Sequence, residues 1–334
     1  MAINQQLCLQ RRPSGEVCKE DFFLRETDIP DLEDGQFLVR NEYISIDPAM
    51  RGWIQDQESY FPPVQLGEPM RGLTVGRIEA SRHPSYSVGD LATGMLNMQT
   101  YAISDGFQIR KVDPDIAPPP AWLGGLGMPG ITAYFGLLDI GRPMKGDTVV
   151  VSAASGAVGS IVGQIAKNLG CRVIGIVGSD KKSKYIVEEL GFDAAINYKS
   201  EPIGLALSDL CPEKIDVYFD NVAGKALDSI LPFMKKFGRI PLCGMISIKP
   251  GEPARLDNFF ALISNSIRLQ GFVMSDYVPK IKMAVDELKA WHQSGQLIFK
   301  EDVRTTHLEN FPEVINDLFS GKNEGKLVMK LSND

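Results

Sequence analysis

The sequence predicts an α/β protein in which a β-rich first domain precedes a doubly wound parallel sheet. Three observations carry this prediction. Residues 148–170 read as a buried strand, a glycine-containing turn and an amphipathic helix in immediate succession. From about residue 123 to 300, strand-like and helix-like segments alternate, which is typical of a parallel sheet with helices on both faces. Before residue 122, prolines separate short β-rich runs, and no ten-residue stretch has convincing helical periodicity.

The β-rich domain is predicted to span residues 1–122. Its strand-like runs, such as 37–46, lie between turn-forming prolines. The segment Ala117-Pro-Pro-Pro120 cannot be the interior of a helix or a central strand, so it marks the expected domain boundary. The tail, 301–334, has strand-like ends around a helix near 311–319, and we expect it to return to this first domain.

The stretch 148–170 has the pattern of a nucleotide-binding unit. Residues 149–151 form the strand. The apolar residues of the helix follow one face of a 3.6-residue period, at Val158, Ile161, Val162, Ile165, Ala166 and Leu169. Gly170 then occupies the position where a left-handed C-terminal cap is expected.

The other elements of the second domain, 123–300, follow from hydrophobic patterns and turn signals. The predicted strands are 172–177, 194–198, 215–219, 239–243 and 267–274. The predicted helices are 180–190, 203–210, 226–237 and 278–292. This alternation predicts a parallel, doubly wound sheet.

The turn of the nucleotide-binding unit is a variant of the G-x-G-x-x-G dinucleotide fingerprint. Ala154, Gly156 and Gly159 occupy the three glycine positions. Gly156 lets the backbone approach a pyrophosphate, Gly159 lets the helix pack closely on the strand, and the helix N-terminus faces the phosphates. One alternative is an ordinary strand-to-helix connection. Another is a membrane span, because no charge falls between Asp147 and Lys167, but the glycines and serines there make it a poor apolar span.

The residues after the second strand favour NADP over NAD. An NAD site has an Asp or Glu at the end of this strand, where it bonds the ribose 2′-hydroxyl. Asp180 comes one position late, and Lys181, Lys182 and Lys184 surround it. A 2′-phosphate suits such a cluster. The alternative is a solvated helix N-terminus with Asp180 as its cap, although lysines in a first turn oppose the helix dipole.

Composition argues against several other classes of function. The net charge is −7 and no basic block appears, so a nucleic-acid partner has no electrostatic support. The opening MAINQQLCLQRRPSG has no apolar core of a signal peptide. The five cysteines are scattered, which is typical of reduced thiols. We therefore expect a cytoplasmic protein with neither membrane nor nucleic-acid partners.

Taken together, the motifs resemble those of the zinc-independent medium-chain dehydrogenase/reductases. Within them, the chain is most similar to the NADP-dependent 2-alkenal and 2-alkenone double-bond reductases, the group that contains leukotriene B4 12-hydroxydehydrogenase/prostaglandin reductase. The motifs run nearly end to end: Asp47-Pro-Ala-Met-Arg51, Gly127-Met-Pro-Gly-Ile-Thr-Ala-Tyr-Phe-Gly-Leu137, Ala153-Ala-Ser-Gly-Ala-Val-Gly159, Gly178-Ser-Asp180, Asn197-Tyr-Lys199, Asp220-Asn-Val-Ala-Gly224, Lys236-Phe-Gly-Arg-Ile240, Cys243-Gly244 and Asn323-Glu-Gly-Lys326.

The resemblance implies a GroES-like first domain, a Rossmann second domain and an active site in the cleft between them. It also implies a homodimer, for which the sixth strand offers an edge. By their positions in the motifs, the implied NADP-binding residues are Gly156, Ala157, Val158 and Gly159 at the pyrophosphate; Lys182 and Tyr198 at the 2′-phosphate, with Ser179 also in the cofactor site; Asn221, Cys243, Gly244 and Ile246 at the ribose and nicotinamide side; and Phe272, Val273, Met274 and Asn323 at the nicotinamide end. The residues expected in the substrate pocket are Met50, Arg51 and Met128.

Zinc members of this superfamily need thiolate and imidazole ligands. The chain has three histidines and no C-x-x-C pair, and Gly67-Glu68-Pro69 replaces the Gly-His-Glu segment of the zinc relatives, so we expect no metal. The implied function is the reduction of the C=C bond of α,β-unsaturated aldehydes and ketones, with a hydride going from NADPH to the β-carbon. The alternatives are an NADPH quinone reductase of the same superfamily and a non-catalytic NADP-binding protein.

The sequence leaves the proton donor for the α-carbon open. Where the family often has Asp-Pro-Tyr-Met-Arg, this chain has Ala49, and several members have a tyrosine at the position of Ser275. Tyr277 has a suitable phenol, and Ser275 is the second candidate. The alternative for Tyr277 is a surface tyrosine in a turn. Arg51 is alternatively a structural ion-pair residue, and Asn221 a turn-capping residue.

Overall fold

The computed structural model describes residues 3–57, 59–249 and 252–332. The chain divides into two units, one of Met1–Leu123 with Glu301–Asp334 and one of Gly124–Lys300. The first unit is mainly antiparallel and the second contains a parallel sheet with helices, so the predicted fold class is confirmed. Across the described ranges, no helix is both long and apolar enough to cross a bilayer.

The strands of the first unit form two sheets. β1 (Ile3–Leu9) and β2 (Phe22–Asp28) pair antiparallel. The strands of the larger sheet are β3 (Phe37–Ser45), β4 (Leu73–Ser81), β5 (Leu91–Met95), β6 (Tyr101–Ser104), β7 (Arg110–Val112), β14 (Glu301–Thr306) and β15 (Lys326–Leu331). Their order is β14–β15–β3–β4–β5–β7, with β6 also paired to β3. Only the β14–β15 pair of these is parallel.

Two short helices complete the first unit, α1 (Ala49–Trp53) and α9 (Phe311–Ser320). Phe311 is fully buried in an apolar cluster with Ile44, Met50 and Leu327. The C-terminal segment therefore supplies part of the core of this unit. α9 ends at Gly321, whose φ of +72° gives the left-handed cap that glycine allows.

The second unit contains a six-stranded sheet in which every pair is parallel. Its strands are β8 (Thr148–Ser152), β9 (Arg172–Val177), β10 (Ala194–Asn197), β11 (Ile215–Phe219), β12 (Met234–Leu242) and β13 (Arg268–Gly271). Their order is β10–β9–β8–β11–β12–β13. The chain thus moves outward from β8 to β10 and then outward in the other direction from β11 to β13, as a doubly wound sheet does.

The helices of the second unit are α2 (Met128–Phe135), α3 (Gly159–Asn168), α4 (Asp180–Lys184), α5 (Ile203–Leu210), α6 (Gly224–Ile230), α7 (Ala261–Ser264) and α8 (Ile281–Gln293). π-helical turns extend α2 over Gly136–Gly141 and α4 over Tyr185–Glu189. The core beneath them includes Val150, Ile174, Tyr218, Leu227 and Ile240.

The strand, turn and helix predicted over 148–170 are confirmed. Every residue of β8 is buried, as expected for a central strand of a parallel sheet. α3 buries Ile161, Val162 and Ile165 along the predicted face. Leu169, by contrast, lies beyond the end of the helix and is exposed. Gly170 has a φ of +78°, which is the left-handed cap conformation.

The helix predicted over 226–237 is wrong in its second half. α6 ends at Ile230, and Leu231–Phe233 form a single 3₁₀ turn that contains Pro232. Proline has no N–H to donate and its ring crowds the preceding turn, so the helix stops there. Met234 then begins β12 and is fully buried opposite Ile215 of β11.

The predicted boundaries around the sixth strand also differ from the structure. The strand ends at Gly271, so residues 272–274 lie outside the sheet. A 3₁₀ segment, Met274–Lys280, includes Pro279, and α8 begins only after it. The sequence predicts no helix at α2, which begins in a glycine-rich segment without a polar cap.

One buried carboxyl lies at the start of β14. Glu301 is opposite Lys326 in the parallel ladder, and its Oε1 is buried without a hydrogen-bond partner. The Lys326 ammonium donates instead to the carbonyl of Ile46 at 2.6 Å and to Asp47 Oδ1 at 2.7 Å. Burial raises the pKa of Glu301 to about 7, although the charge of Lys326 opposes this rise.

We expect the free energy of unfolding to fall as the pH rises from about 4.5 to 7, because Glu301 must then ionise inside the folded unit. Its folded pKa lies above its unfolded one. The contribution of Glu301 to the free energy of unfolding is therefore fully present below the unfolded pKa, and it is lost as the pH rises through the folded pKa. At 1.36 kcal/mol per pKa unit, the loss between pH 5 and 8 is about 2–3 kcal/mol.

Urea denaturation of the wild type and of Glu301→Gln at both pH values measures this loss, because the glutamine does not titrate. The stability difference between the two proteins should change with pH by the amount given. Glu16→Gln, at an exposed carboxylate of the same unit, is the control. A difference between wild type and Glu301→Gln that is the same at both pH values contradicts the prediction.

Candidate functional site

The carboxyl ends of β8, β11 and β12 meet at one edge of the parallel sheet, where the strand order reverses. In open α/β sheets, ligands bind in the crevice outside these ends. Three loops leave this edge: residues 153–158, 220–223 and 243–248. These loops contain seven of the predicted cofactor residues, namely Gly156, Ala157, Val158, Asn221, Cys243, Gly244 and Ile246.

The fingerprint turn has the close packing that its small residues predict. Ala154 is fully buried, and a Cβ added to Gly159 would lie 2.5 Å from the carbonyl oxygen of Ala153. A Cβ at Gly175 on β9 would lie 2.7 Å from the Cβ of Ala154. The turn therefore accommodates alanine at the first fingerprint position, whereas Gly159 has no room for a side chain.

The residues of this turn fit a dinucleotide phosphate. The Gly156 N–H donates to the carbonyl of Ala153 at 2.9 Å, which tightens the turn directly before α3. The N–H groups of Ser160, Ile161 and Val162 donate to the carbonyls of Gly156 and Val158 at 3.0–3.1 Å. Among the described residues, the N–H groups of 157–159 have no backbone acceptor, and they lie at the positive end of the helix dipole. A pyrophosphate placed at this end would receive both the hydrogen bonds and the favourable field.

The start of α4 is capped by Ser179, whose Oγ accepts a hydrogen bond from the Lys182 N–H at 3.3 Å. The alternative in which Asp180 is the cap is wrong. Asp180 is the first helical residue, and its carboxylate accepts a 2.7 Å hydrogen bond from Asn197 Nδ2.

Tyr198 lies next to the end of β9. Its side chain is half exposed, and a Cβ at Gly178 would lie 3.2 Å from its hydroxyl oxygen. Gly178 leads directly to the α4 turn that carries Lys182. This arrangement brings a phenol near a lysine-rich helix start, and it suits a phosphate. The assignment of Lys182 and Tyr198 to a 2′-phosphate stays a prediction.

The second and third loops are held against β8. The Asn221 side-chain amide donates to the Ser152 carbonyl at 2.8 Å, and its backbone N–H donates to Ser152 Oγ at 2.8 Å. A Cβ at Gly244 would lie 3.1 Å from the Asn221 carbonyl oxygen. The Ile246 N–H also faces that oxygen, at 3.5 Å. Asn221, Gly244 and Ile246, which are far apart in the sequence, are therefore brought together.

Sequence reasoning gave no role to three residues of this edge, namely Ser152, Tyr218 and Asp220. The side chain of Asp220 caps the turn after β11, because Oδ1 accepts from the N–H groups of Val222 and Ala223 at 2.9 and 3.0 Å. Turn capping is thus the role of Asp220 and not of Asn221. The sequence did contain one indication of this role: Asp220 comes directly after a predicted strand, and Tyr218 precedes it by two residues.

Burial governs the titration of these groups. It raises the pKa of Asp220, against the hydrogen bonds that the carboxyl accepts. Burial and the nearby Asp220 carboxylate raise the pKa of the Cys243 thiol to about 12, so this thiol stays protonated at neutral pH. Cys243 is thereby a small apolar group of the third loop and not a nucleophile.

Phe272, Val273 and Met274 follow the end of β13. The ring of Phe272 meets that of Phe219 edge to face, with centroids 6.4 Å apart. A Cβ at Gly136 would lie 2.4 Å from Phe272 Cζ, so the glycine of the π-helical turn makes room for this ring. Phe272 is thus packed beside the carboxyl end of β11.

The alternative of Tyr277 as a surface tyrosine is wrong. The side chain is 8% exposed, stacks on Phe135 at 4.2 Å and donates to Asp139 Oδ2 at 2.9 Å. Burial and the hydrogen bond to Asp139 raise the pKa of Tyr277 to about 12. Ser275 is exposed on the same 3₁₀ segment. The proton-donor role of the Tyr277 or Ser275 hydroxyl stays a prediction. The contacts of Tyr277 with Phe135 and Asp139 also give this residue a structural role.

The predicted substrate-pocket residues lie in different surroundings. Met50 is fully buried in the core of the first unit. The Arg51 guanidinium lies over the ring of Phe319, 4.9 Å from its centroid, which is a cation–π contact, and it forms no ion pair with the residues that the structure describes. Met128 is partly buried at the start of α2 in the second unit. Their roles toward a substrate stay predictions.

Asn323, the predicted cofactor residue outside the second unit, is buried in the first one. Its Nδ2 donates to the carbonyl of Gly325 at 2.8 Å. Among the residues that the structure describes, no group of three or more His, Cys, Asp or Glu side chains is arranged to hold a metal ion.

Two family models match the chain. The model described as the N-terminal domain of oxidoreductase matches residues 5–112, and the one described as zinc-binding dehydrogenase matches residues 157–290. Together they cover most of both units.

The chain is also similar to named proteins over 99% of its length. It is 42% identical to the NADPH-dependent curcumin reductase of Escherichia coli, over 99% of this chain and 98% of the relative. It is 40% identical to the NADP(+)-dependent 2-alkenal reductase of Nicotiana tabacum, over 99% and 98%. The structure of CurA from Vibrio vulnificus in complex with NADPH is similar with a TM-score of 0.91 and 40% identity, over 99% of this chain and 100% of that one.

Gly159→Ala should raise the dissociation constant of NADPH at least tenfold, about 1.4 kcal/mol. The added Cβ would lie 2.5 Å from a backbone oxygen, so the turn must shift away from the position that cradles a phosphate. Fluorescence titration of NADPH measures the effect. Gly204→Ala in the same unit is the control, because its nearest neighbouring atom is 3.6 Å away. Equal affinities for the two variants would contradict the assignment of the turn.

Proposed function

The chain belongs to the zinc-independent medium-chain dehydrogenase/reductases, in the group of NADP-dependent alkenal and curcumin reductases, and we propose on that basis that it reduces the C=C bond of α,β-unsaturated aldehydes and ketones. The observation that carries the proposal is the Ala154/Gly156/Gly159 turn at the point where the strand order of the parallel sheet reverses. It is supported by two full-length relatives, 42% and 40% identical, that are named as reductases of curcumin and of 2-alkenals.

The cofactor of this protein is NADP, and NADPH when bound supplies the hydride that reaches the β-carbon of the substrate. The protein contributes binding and orientation. We assign the backbone of residues 156–159 to the pyrophosphate, and Lys182 and Tyr198 to the 2′-phosphate. Ser179 caps the helix that carries Lys182. The residues assigned to the ribose and nicotinamide are Asn221, Cys243, Gly244, Ile246, Phe272, Val273, Met274 and Asn323.

Conjugate reduction places negative charge on the carbonyl oxygen of the substrate and requires a proton at the α-carbon. Tyr277 and Ser275 are the two hydroxyls that we assign as candidates for this proton. A phenol whose pKa is near 12 and whose proton is bonded to Asp139 is a weak acid, whereas Ser275 is exposed and can pass a proton from water. Met50, Arg51 and Met128 are assigned to the substrate pocket.

The proposal includes the assembly and the compartment of the protein. β13 is an edge strand of the parallel sheet, and two such edges can pair in a homodimer. Five scattered cysteines suit a cytoplasmic setting, and all five thiols are free in the structure. Gel filtration with light scattering tests the dimer.

The activity is tested with purified protein, NADPH and a panel of 2-alkenals, alkyl and aryl enones and quinones. We expect NADPH oxidation with the enals and enones, and a product in which only the C=C bond is reduced. Mass spectrometry with 4-deuterated NADPH should find the label on the β-carbon. Quinone turnover without any C=C product favours a quinone reductase, and tight NADPH binding without turnover on any acceptor favours a binding protein. Either result refutes the proposal.

Lys182→Ala should weaken NADPH binding by about 1–3 kcal/mol, the scale of a charge-assisted hydrogen bond. NADH lacks the 2′-phosphate, so its affinity should barely change. Calorimetric titration of both cofactors measures the difference. Lys181→Ala, a change of the neighbouring and more exposed lysine, is the matched control. Equal losses for NADPH and NADH in the Lys182 variant would refute the 2′-phosphate assignment.

A further inference from the structure

Asp220 is a fully buried carboxyl at the edge of the parallel sheet where the three loops meet. Its backbone bridges to β12, because its N–H donates to the carbonyl of Pro241 at 2.9 Å. Its carbonyl accepts the N–H groups of Cys243 at 2.8 Å and Gly244 at 3.2 Å. The residue is therefore fixed in the sheet by its backbone, begins the second loop and holds the first residues of the third.

The two oxygens of the carboxyl have unequal surroundings. Oδ1 accepts four hydrogen bonds: from Tyr218 Oη at 2.9 Å, Ser152 Oγ at 3.1 Å, Val222 N at 2.9 Å and Ala223 N at 3.0 Å. Oδ2 is buried and has no partner among the described residues. A buried oxygen without a donor costs free energy, so this arrangement is not explained by stability alone.

Three of the four donors, Ser152, Val222 and Ala223, connect Asp220 to the first and second loops, and the fourth, Tyr218, lies within β11. Ser152, at the end of β8, leads into the fingerprint turn and receives both Asn221 hydrogen bonds. Val222 and Ala223 belong to the second loop, where Ala223 has a φ of +61°. A non-glycine residue with positive φ is strained, and the hydrogen bond to Oδ1 holds it in place. The Val222 carbonyl in turn accepts from Ser247 Oγ of the third loop at 2.8 Å.

We propose that Asp220 is the positioning residue of the nucleotide site, and that it sets the fingerprint turn and Asn221 through one acceptor atom, Oδ1. Tyr218, which is fully buried, holds this oxygen in place because its hydroxyl donates a hydrogen bond to it. The inference rests on the proposed cofactor site. It assigns Asp220 no contact with substrate or cofactor.

The first test uses two substitutions that keep most of the packing. Tyr218→Phe removes one donor to Oδ1, and Ser152→Ala removes another together with the acceptor of the Asn221 N–H. Each should raise the dissociation constants of NADPH and NADH by a common factor of about fivefold to tenfold, the scale of one or two buried hydrogen bonds. The factor is common because the loops face parts that both cofactors share. At saturating NADPH, kcat should stay within about threefold.

Matched controls come from the first unit. Tyr86→Phe removes a hydroxyl that donates to Ile109 at 2.9 Å, and Thr74→Val removes one that donates to Asn41 Oδ1 at 2.7 Å. They should lower Tm about as much as the test substitutions and leave both dissociation constants unchanged. If Tyr218→Phe and Ser152→Ala lower Tm without changing either dissociation constant, the network is only structural and the inference is overturned.

The role of a single oxygen is tested by Asp220→Asn and Asp220→Ala. An amide oxygen can replace Oδ1 as acceptor, so the asparagine variant should bind NADPH within about threefold of wild type, and the alanine variant should lose at least thirtyfold. Where the alanine variant does not fold, the asparagine variant still decides. A folded Asp220→Asn protein whose NADPH affinity falls tenfold or more overturns the role of Oδ1 as the acceptor that positions the loops.

The binding measurements contain no enone, so they separate this inference from the proposed function. A wild-type protein that binds NADPH but reduces no enal or enone refutes the proposed function and leaves the positioning role intact. Normal NADPH affinity in a folded Tyr218→Phe protein refutes the positioning role and leaves the proposed function intact.

Discussion

The close approach of α3 to the strands beneath it is the constraint on which the nucleotide-binding unit depends. A Cβ at Gly163 would lie 1.8 Å from the ring of Phe192, and one at Gly159 would meet backbone atoms of the preceding turn. Because side chains are missing at these two positions, α3 packs closely on Phe192 and on the turn after β8, and its N-terminus emerges directly at the carboxyl end of β8. The small residues of the fingerprint are thus a packing requirement before they are a ligand requirement.

The carboxyl edge of the sheet combines this apolar packing with a buried polar network. Ser152, Tyr218 and Asp220 form hydrogen bonds across β8 and β11, and the network reaches the third loop through the Asp220 carbonyl. Low local dielectric strengthens each of these bonds and makes the unpartnered Oδ2 expensive. A network of this kind specifies one arrangement of the loops, at a cost in folding stability. A binding site needs such a fixed arrangement more than the apolar core does.

A second buried polar group stabilises the first unit. Lys326 is 3% exposed and pairs with Asp47 at 2.7 Å, and Ser45 Oγ donates to the other carboxylate oxygen at 2.5 Å. Asp47 immediately precedes the helix that carries Met50 and Arg51, and Lys326 follows Asn323 closely in the chain. The motifs Asp47-Pro-Ala-Met-Arg51 and Asn323-Glu-Gly-Lys326 therefore meet in one ion pair. Removing either partner would leave the other charge buried without its counter-ion, so substituting only one of the two residues should destabilise the first unit.

Local patterns determined much of this protein. The bounds of β9, α5 and β11 follow from apolar periodicity and turn residues, and the fingerprint and the lysines after β9 follow from residue types that are adjacent in sequence. Tertiary structure alone decided other features. Pro232 ends α6 locally, but the pairing of Met234 with Ile215 of β11 and the burial of Met50 in the core depend on how the elements pack. Asp220 and Asn221 bond Ser152, 68 and 69 residues earlier, and Tyr277 bonds Asp139, 138 residues earlier. Hydrogen-bond partners this far apart in the sequence depend on how strands and helices pack against each other. The periodicity of apolar residues within one element does not specify that packing.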